Sequence, residues 1–280
     1  MWISLLSFAA LFVLFLYLYQ RKMIYFPTAY PPIYRQMLPE GAVELTFRTD
    51  WGRQAAYYLP PRSGYRSLPD PLWVLFNGNA ATALDWLETL EKTRNTDAGF
   101  LLVDYPGYGV CEGGPTREGI RANGKGAFQT LADHLDLGRA DLEENLNVLG
   151  LSIGTGTGLD FAAAHPVNRV ILLAPFTDLV SMARRSVGFP LCHLLLDRYD
   201  NAARIEELLA RESPPSIHIY HGDADEVIPF SMGLDLAARH PQSITFHPVK
   251  GSGHNDLLLR VEKEIAARLD GAGEVEPDDE

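Results

Sequence analysis

The stretch Asn147-Val148-Leu149-Gly150-Leu151-Ser152-Ile153-Gly154-Thr155-Gly156 decides how the rest of the chain is read. A short apolar strand runs into a small-residue turn and then a helix, with one hydroxyl held between Gly150 and Gly154. This is the G-x-S-x-G pattern, in which a sharp strand-to-helix elbow exposes a serine side chain. Such a turn squeezes strand against helix, so the residues two before and two after the serine must be small. Both are glycine. Ser152 is therefore a candidate nucleophile, with an ordinary glycine-rich turn as the competing reading, and partners elsewhere must decide between them.

Around this stretch the chain alternates between buried strands and helices. Leu72-Trp73-Val74-Leu75-Phe76 is a continuous apolar run ending at Asn77-Gly78-Asn79, and a helix is expected from Thr82. Phe100-Leu101-Leu102-Val103 is a second run, opening into Asp104-Tyr105-Pro106-Gly107-Tyr108-Gly109. A helix follows it, with Thr116 as candidate N-cap. After the elbow come apolar runs at 169–174, 216–220 and 244–249. Strands buried on both faces and separated by helices predict right-handed crossovers and an α/β fold with a mostly parallel central sheet flanked by helices. Upstream, 43–49 and 53–60 flank Asp50-Trp51-Gly52 and read as an antiparallel hairpin. Residues 176–213 are too long for a simple connection and rich in leucine. They read as a helical cap insertion over the carboxyl ends of the strands, where open α/β sheets bind ligands.

With 280 residues, 46% of them hydrophobic, the chain is large enough for one α/β domain, expected over residues 28–269. The formal net charge is −12, and no basic block suggests a nucleic-acid partner. Residues 270–280 carry six acids and no base and read as an acidic disordered tail. Cys111 and Cys192 lack the spacing of a metal site or a disulfide framework, so no metal is indicated.

Residues 1–27 read as a single-pass transmembrane anchor with an interfacial segment. From Met1 to Tyr19 there is no charged side chain. A helix of that length approaches the roughly 30 Å of a bilayer core. Tyr17, Tyr19, Tyr25 and Phe26, with Arg21 and Lys22, supply an aromatic and basic rim, and the positive-inside rule puts the C-terminal domain in the cytoplasm. A secretory signal peptide is the rival, without the basic leader or small-residue cleavage site it needs. Residues 28–40, rich in Pro and Tyr, read as a linker leaving the membrane.

A serine nucleophile needs a base, and the base needs a carboxylate to hold its tautomer. His254 follows the last predicted strand in Lys250-Gly251-Ser252-Gly253-His254-Asn255-Asp256 and is the candidate base. His165 and His240 read as helix-end caps or surface residues, and His193, in the insertion, is placed to touch substrate. The loop His221-Gly222-Asp223-Ala224-Asp225-Glu226-Val227-Ile228-Pro229 offers three acids, among which position does not choose.

Five motifs, in order, carry a resemblance: Phe76-Asn77-Gly78-Asn79-Ala80, Asp104 to Gly109, Gly150 to Gly156, His221 to Pro229, and Gly253-His254-Asn255-Asp256. Over residues 40–268 the chain resembles an α/β-hydrolase of the group containing membrane-associated lipases and depalmitoylases. The resemblance implies the α/β-hydrolase fold, Asp225 as the acid with Asp223 as alternative, and the backbone NH groups of Asn79 and Ile153 as an oxyanion hole. It departs at Asn77, where the family usually has histidine. The expectation is a membrane-anchored serine hydrolase acting on a lipid-like or small-molecule acyl ester or thioester, with no cofactor. A serine peptidase or amidase on the same triad is one alternative, and a noncatalytic membrane-bound binding or scaffold protein is another. No protein partner is indicated.

Overall fold

The computed structural model describes residues 2–63, 68–93 and 97–270. Strands β1 (Val43–Thr49), β2 (Gly52–Leu59), β3 (Leu72–Phe76), β4 (Gly99–Val103), β5 (Leu146–Leu151), β6 (Arg169–Leu173), β7 (Ser216–Gly222) and β8 (Ile244–Val249) form one sheet in the order β1-β2-β4-β3-β5-β6-β7-β8. The β1–β2 and β2–β4 pairs are antiparallel and every other pair is parallel. The predicted hairpin is thus the antiparallel edge of the main sheet. Helices α1 (Trp2–Ile24), α2 (Leu87–Glu91), α3 (Arg117–Leu135), α4 (Arg139–Glu143), α5 (Ile153–Ala164), α6 (Leu179–Val187), α7 (Asn201–Leu209), α8 (Phe230–Arg239) and α9 (Leu257–Leu269) complete the chain.

The apolar runs have no wet face because helices cover both sides of the sheet. Leu72, Val74 and Phe76 of β3 point into a core with α3, α5 and α8, whereas Trp73 and Leu75 point into a second core with α9. This is the two-residue alternation of a strand between two helical layers. Thr116 caps α3 by accepting the Gly119 NH at 2.9 Å. The helix expected from Thr82 is instead a 3-10 turn, Ala83–Trp86, running into the short α2. Asp85 folds back on the Thr82 NH at 2.7 Å to start it.

Two expectations at the N-terminus are revised. Among the described residues, no helix is long and apolar enough to cross a membrane, so the predicted spanning anchor is without structural support. The C-terminal half of α1 docks on the domain: Leu16 and Gln20 are buried, and Arg21 pairs with Asp197 at 3.0 Å. Nor is 28–40 a free linker. Ala29 bridges to Gly109, the Thr28 hydroxyl donates to the Ala80 carbonyl, and Tyr34 is buried with its hydroxyl on Glu44. A Pro- and Tyr-rich composition reads as linker because local pattern does not reveal a surface waiting for it. The predicted acidic tail lies outside the described residues beyond Asp270.

The insertion between β6 and β7 divides into two parts. Its stem closes through an Asp178–Asp200 bridge. Between these residues, α6 and a 3-10 turn at Leu191–Leu194 lie over the strand ends. Beyond the stem, α7 sends Ile205 and Leu208 into the main core, so part of the apolar signal in this stretch comes from ordinary core packing.

Asp104, at the end of β4, is fully buried, and its Oδ1 accepts the Ala83 NH at 2.8 Å. Burial pushes its pKa up to about 7, only partly offset by that NH and by Tyr30. The unfolded chain ionises this carboxyl near pH 4, so between about pH 4 and 7 the folded state binds more protons. The stabilisation present at low pH is then lost as pH rises through 7. Asp104→Asn should remove that slope. Its stability relative to wild type should climb by several kcal/mol over the window, at about 1.4 kcal/mol for each pH unit of displacement. Urea titrations at pH 4.5, 6 and 8 check this, and parallel curves for the two proteins would refute it.

Candidate active site

Ser152 sits between β5 and α5 with φ 56° and ψ −121°, a left-handed backbone that a non-glycine residue adopts only when its surroundings impose it. A Cβ on Gly150 would lie 2.4 Å from the Gly154 carbonyl oxygen, and one on Gly154 would lie 2.3 Å from that of Phe76. The two glycines are therefore required by close backbone approach. The turn is tied down as the Ser152 NH donates to the Leu173 carbonyl at 2.8 Å, while the Ser152 carbonyl accepts the Thr155 hydroxyl at 2.7 Å. Gly154→Ala should destabilise the protein by about 3 kcal/mol or more, because backbone and not a movable side chain occupies the space. A chemical-denaturation midpoint equal to that of wild type would show that the elbow yields instead.

The loop after β7 and the loop between β8 and α9 bring the predicted partners to this serine. The His254 Nε2 lies 3.0 Å from the Ser152 Oγ, and its Nδ1 lies 2.8 Å from the Asp225 Oδ2. With Nδ1–H donating to the carboxylate, Nε2 is free to accept the serine hydroxyl. The other Asp225 oxygen accepts the NH groups of Val227 and Ile228, both at 2.8 Å. Burial would raise this carboxyl. The nearby His221 ring, with the hydrogen bond and charge of His254, outweighs it and holds the pKa well below the usual carboxylate range. Asp223 is elsewhere, accepting the Gly251 NH at 2.6 Å, and Glu226 lies 3.5 Å from the His254 backbone NH. Of the three acids the loop offers, Asp225 is the one seated on the imidazole.

His221 escaped the sequence reading. Fully buried, it donates Nε2–H to the Ile228 carbonyl at 2.9 Å and sits 3.4 Å from the Asp225 Oδ2, bracing the acid from behind. Nothing in its spacing distinguishes it from a strand-end histidine. His165 caps α5 as expected but is buried, stacked on Phe161 and bonded to Glu143 at 2.8 Å. His193 is exposed, edge-on to Phe189, and does not line the cavity at Ser152.

The loop after β3 carries the other expected groups. Asn77 is buried, its Nδ2 donating to the Val103 carbonyl at 3.0 Å and its Oδ1 accepting the Trp86 indole NH at 2.6 Å. The amide thus braces the loop where the family has histidine. Asn79 is pinned through its carbonyl, which accepts the Tyr108 hydroxyl at 2.5 Å and the Phe26 NH at 3.0 Å. Its NH has no backbone acceptor among the described residues. Ile153 opens α5, where an NH has no partner one turn back and the helix dipole favours negative charge. Asn79 and Ile153 both line the cavity at Ser152.

That cavity, of ≈ 260 Å³, lies between α1, α6 and the 3-10 turn, with Phe176, Met182, Leu191 and Leu195 among its apolar lining. It is the expected shape of a small-molecule site: mostly apolar, with a few polar groups at one end. Among the described residues, no cluster of three or more His, Cys, Asp or Glu side chains is placed to hold a metal ion.

An α/β-hydrolase from Vibrio vulnificus superimposes with a TM-score of 0.62 over 81% of each chain, at 15% identity. The chain has the α/β-hydrolase fold. No family model matches it. An uncharacterized protein of Mycobacterium tuberculosis is 29% identical over 249 residues, covering 88% of this chain and 84% of that one. The human alpha/beta hydrolase domain-containing protein 17B is 34% identical over 156 residues, covering 56% of this chain and half of that protein. These likenesses identify the α/β-hydrolase scaffold; the reaction must be argued from the site.

Proposed function

We propose that this protein is a membrane-associated serine hydrolase that cleaves an acyl ester or thioester bearing a hydrophobic acyl chain. The observation that carries the reading is the alignment of Asp225, His254 and Ser152, at 2.8 and 3.0 Å, beneath an apolar cavity. The Ser152 Oγ attacks the acyl carbonyl as the His254 Nε2 takes its proton, and the oxyanion forms against the NH groups of Asn79 and Ile153. His254 then protonates the departing alcohol or thiol, leaving Ser152 acylated. Water enters, His254 removes its proton, and the free acid leaves as the serine hydroxyl is restored. Asp225 stays ionised throughout and stabilises the imidazolium.

Membrane association is supported by α1, where Phe8, Leu11, Leu14, Phe15 and Leu18 are all exposed. The named hydrolase among the relatives supports the reaction class. Hydrolysis of a p-nitrophenyl ester series from acetate to dodecanoate tests the proposal. The expected result is turnover with kcat/KM rising with acyl length. A steady fall with length would sink the lipophilic substrate, and no turnover at any length would favour a noncatalytic binding protein.

A further inference from the structure

The cavity at Ser152 is not built by the hydrolase domain alone. Leu16, Gln20, Met23 and Ile24 of α1 line it. Their spacing of four, seven and eight residues puts them on one stripe of the helix. The stripe continues toward the N-terminus: Ala10, Val13, Leu14 and Tyr17 border a shallow apolar groove, and Leu194 borders both groove and cavity. An apolar path therefore runs from the reacting serine outward along α1. From Ile24 back to Leu16 it covers about 12 Å of helix.

Helix and insertion are held together by polar contacts that leave the path apolar. The Gln20 Nε2 donates to the Leu194 carbonyl at 3.2 Å, and its Oε1 accepts the Leu196 NH at 2.6 Å. Arg21 donates to Asp197 at 3.0 Å. Gln20 is buried, and satisfying both ends of its amide on the insertion backbone removes the penalty of burying it. If α1 merely packed on the domain, its buried stripe would close against the insertion. A cavity remains there instead, and Met23 on its wall is half exposed.

We propose that α1 is one wall of the acyl-chain site, with Leu16, Met23 and Ile24 facing Leu191, Leu194 and Leu195 across the substrate's chain. The chain leaves Ser152 along the helix toward the apolar N-terminal half, so α1 sets acyl-length preference. This rests on the acyl-hydrolase reading above, and the experiment separates the two. Leu16→Trp and Met23→Trp place bulk in the path, whereas Leu18→Trp puts the same ring on an exposed position of α1 that does not line it. Two quantities are measured on the full chain: the kcat/KM ratio for p-nitrophenyl dodecanoate over butyrate in mixed micelles, and the Kd of a fluorescent dodecanoate analogue.

Both lining variants should lower the ratio and raise the Kd about tenfold, the effect of losing about two buried methylenes. Leu18→Trp should match wild type in both. Unchanged values in the lining variants, or an equal loss in Leu18→Trp, would overturn the proposal. If wild type hydrolyses no ester, the acyl-hydrolase reading fails and the Kd alone decides the role of α1. Should Leu16→Trp melt early, Met23→Trp, at a half-exposed position, carries the test.

Discussion

Ser152→Ala is expected to lower kcat by about 10⁶-fold on any ester the wild type turns over, and to abolish labelling by a fluorophosphonate probe. The magnitude follows from the geometry. His254 is oriented by Asp225 so that its Nε2 accepts the Ser152 hydroxyl at 3.0 Å, and alanine leaves it nothing to deprotonate. The oxyanion donors and the cavity remain, so residual rate above the uncatalysed reaction is expected. Folding should be nearly unaffected, because among the described residues the Ser152 hydroxyl bonds only to His254, and the turn is held by backbone groups and Thr155. A variant that melts like wild type yet is still labelled would remove Ser152 from the reaction.

Asp225→Asn should cost about 10⁴-fold in kcat with little change in stability. An amide at this position can present its NH₂ to the His254 Nδ1, which selects the tautomer carrying the proton on Nε2. That nitrogen then faces the Ser152 hydroxyl as a donor and cannot take its proton. In wild type the hydrogen bond and charge of His254, with the nearby His221 ring, work against burial and keep Asp225 ionised well into acid. The carboxylate therefore never limits activity from neutral pH down through the ordinary carboxylate range. Asp223→Asn is the control: it weakens a turn to Gly251 and should leave kcat within about threefold, since lost turn contacts act on stability at about 1 kcal/mol. Steady-state kinetics of the two variants distinguish the acids, and a reversed order of effects would transfer the role to Asp223.

Much of this architecture is local in the sequence. The all-apolar runs of β3 and β4, the turn glycines around Ser152 and the Thr116 cap are each decided by a few neighbouring residues, and the structure places them where their patterns put them. His254 stood out as a candidate because it follows the last strand in a strand-end loop, and the structure sets its ring 3.0 Å from the Ser152 Oγ. Asp225 was not separable from Asp223 and Glu226 by position. Three acids in four residues differ only in which way a folded loop turns them, and the resemblance alone favoured one.

The misreadings lie at the N-terminus and in the insertion, for one reason. An apolar helix shows what it must keep from water but not what it will be kept from water by. The stripe through Leu16, Gln20, Met23 and Ile24 was hidden in a segment apolar on every face, and its partner is some 170 residues away in the chain. The same holds for His221, whose contact with Ile228 and Asp225 depends on how one loop curls. The sequence by itself determined that an elbow carries Ser152 at the end of a buried strand, since close backbone approach there admits only glycine on either side. Only the tertiary structure decided that Asp225 holds the imidazole and that α1 walls the cavity, because both depend on contacts between segments that local pattern leaves independent.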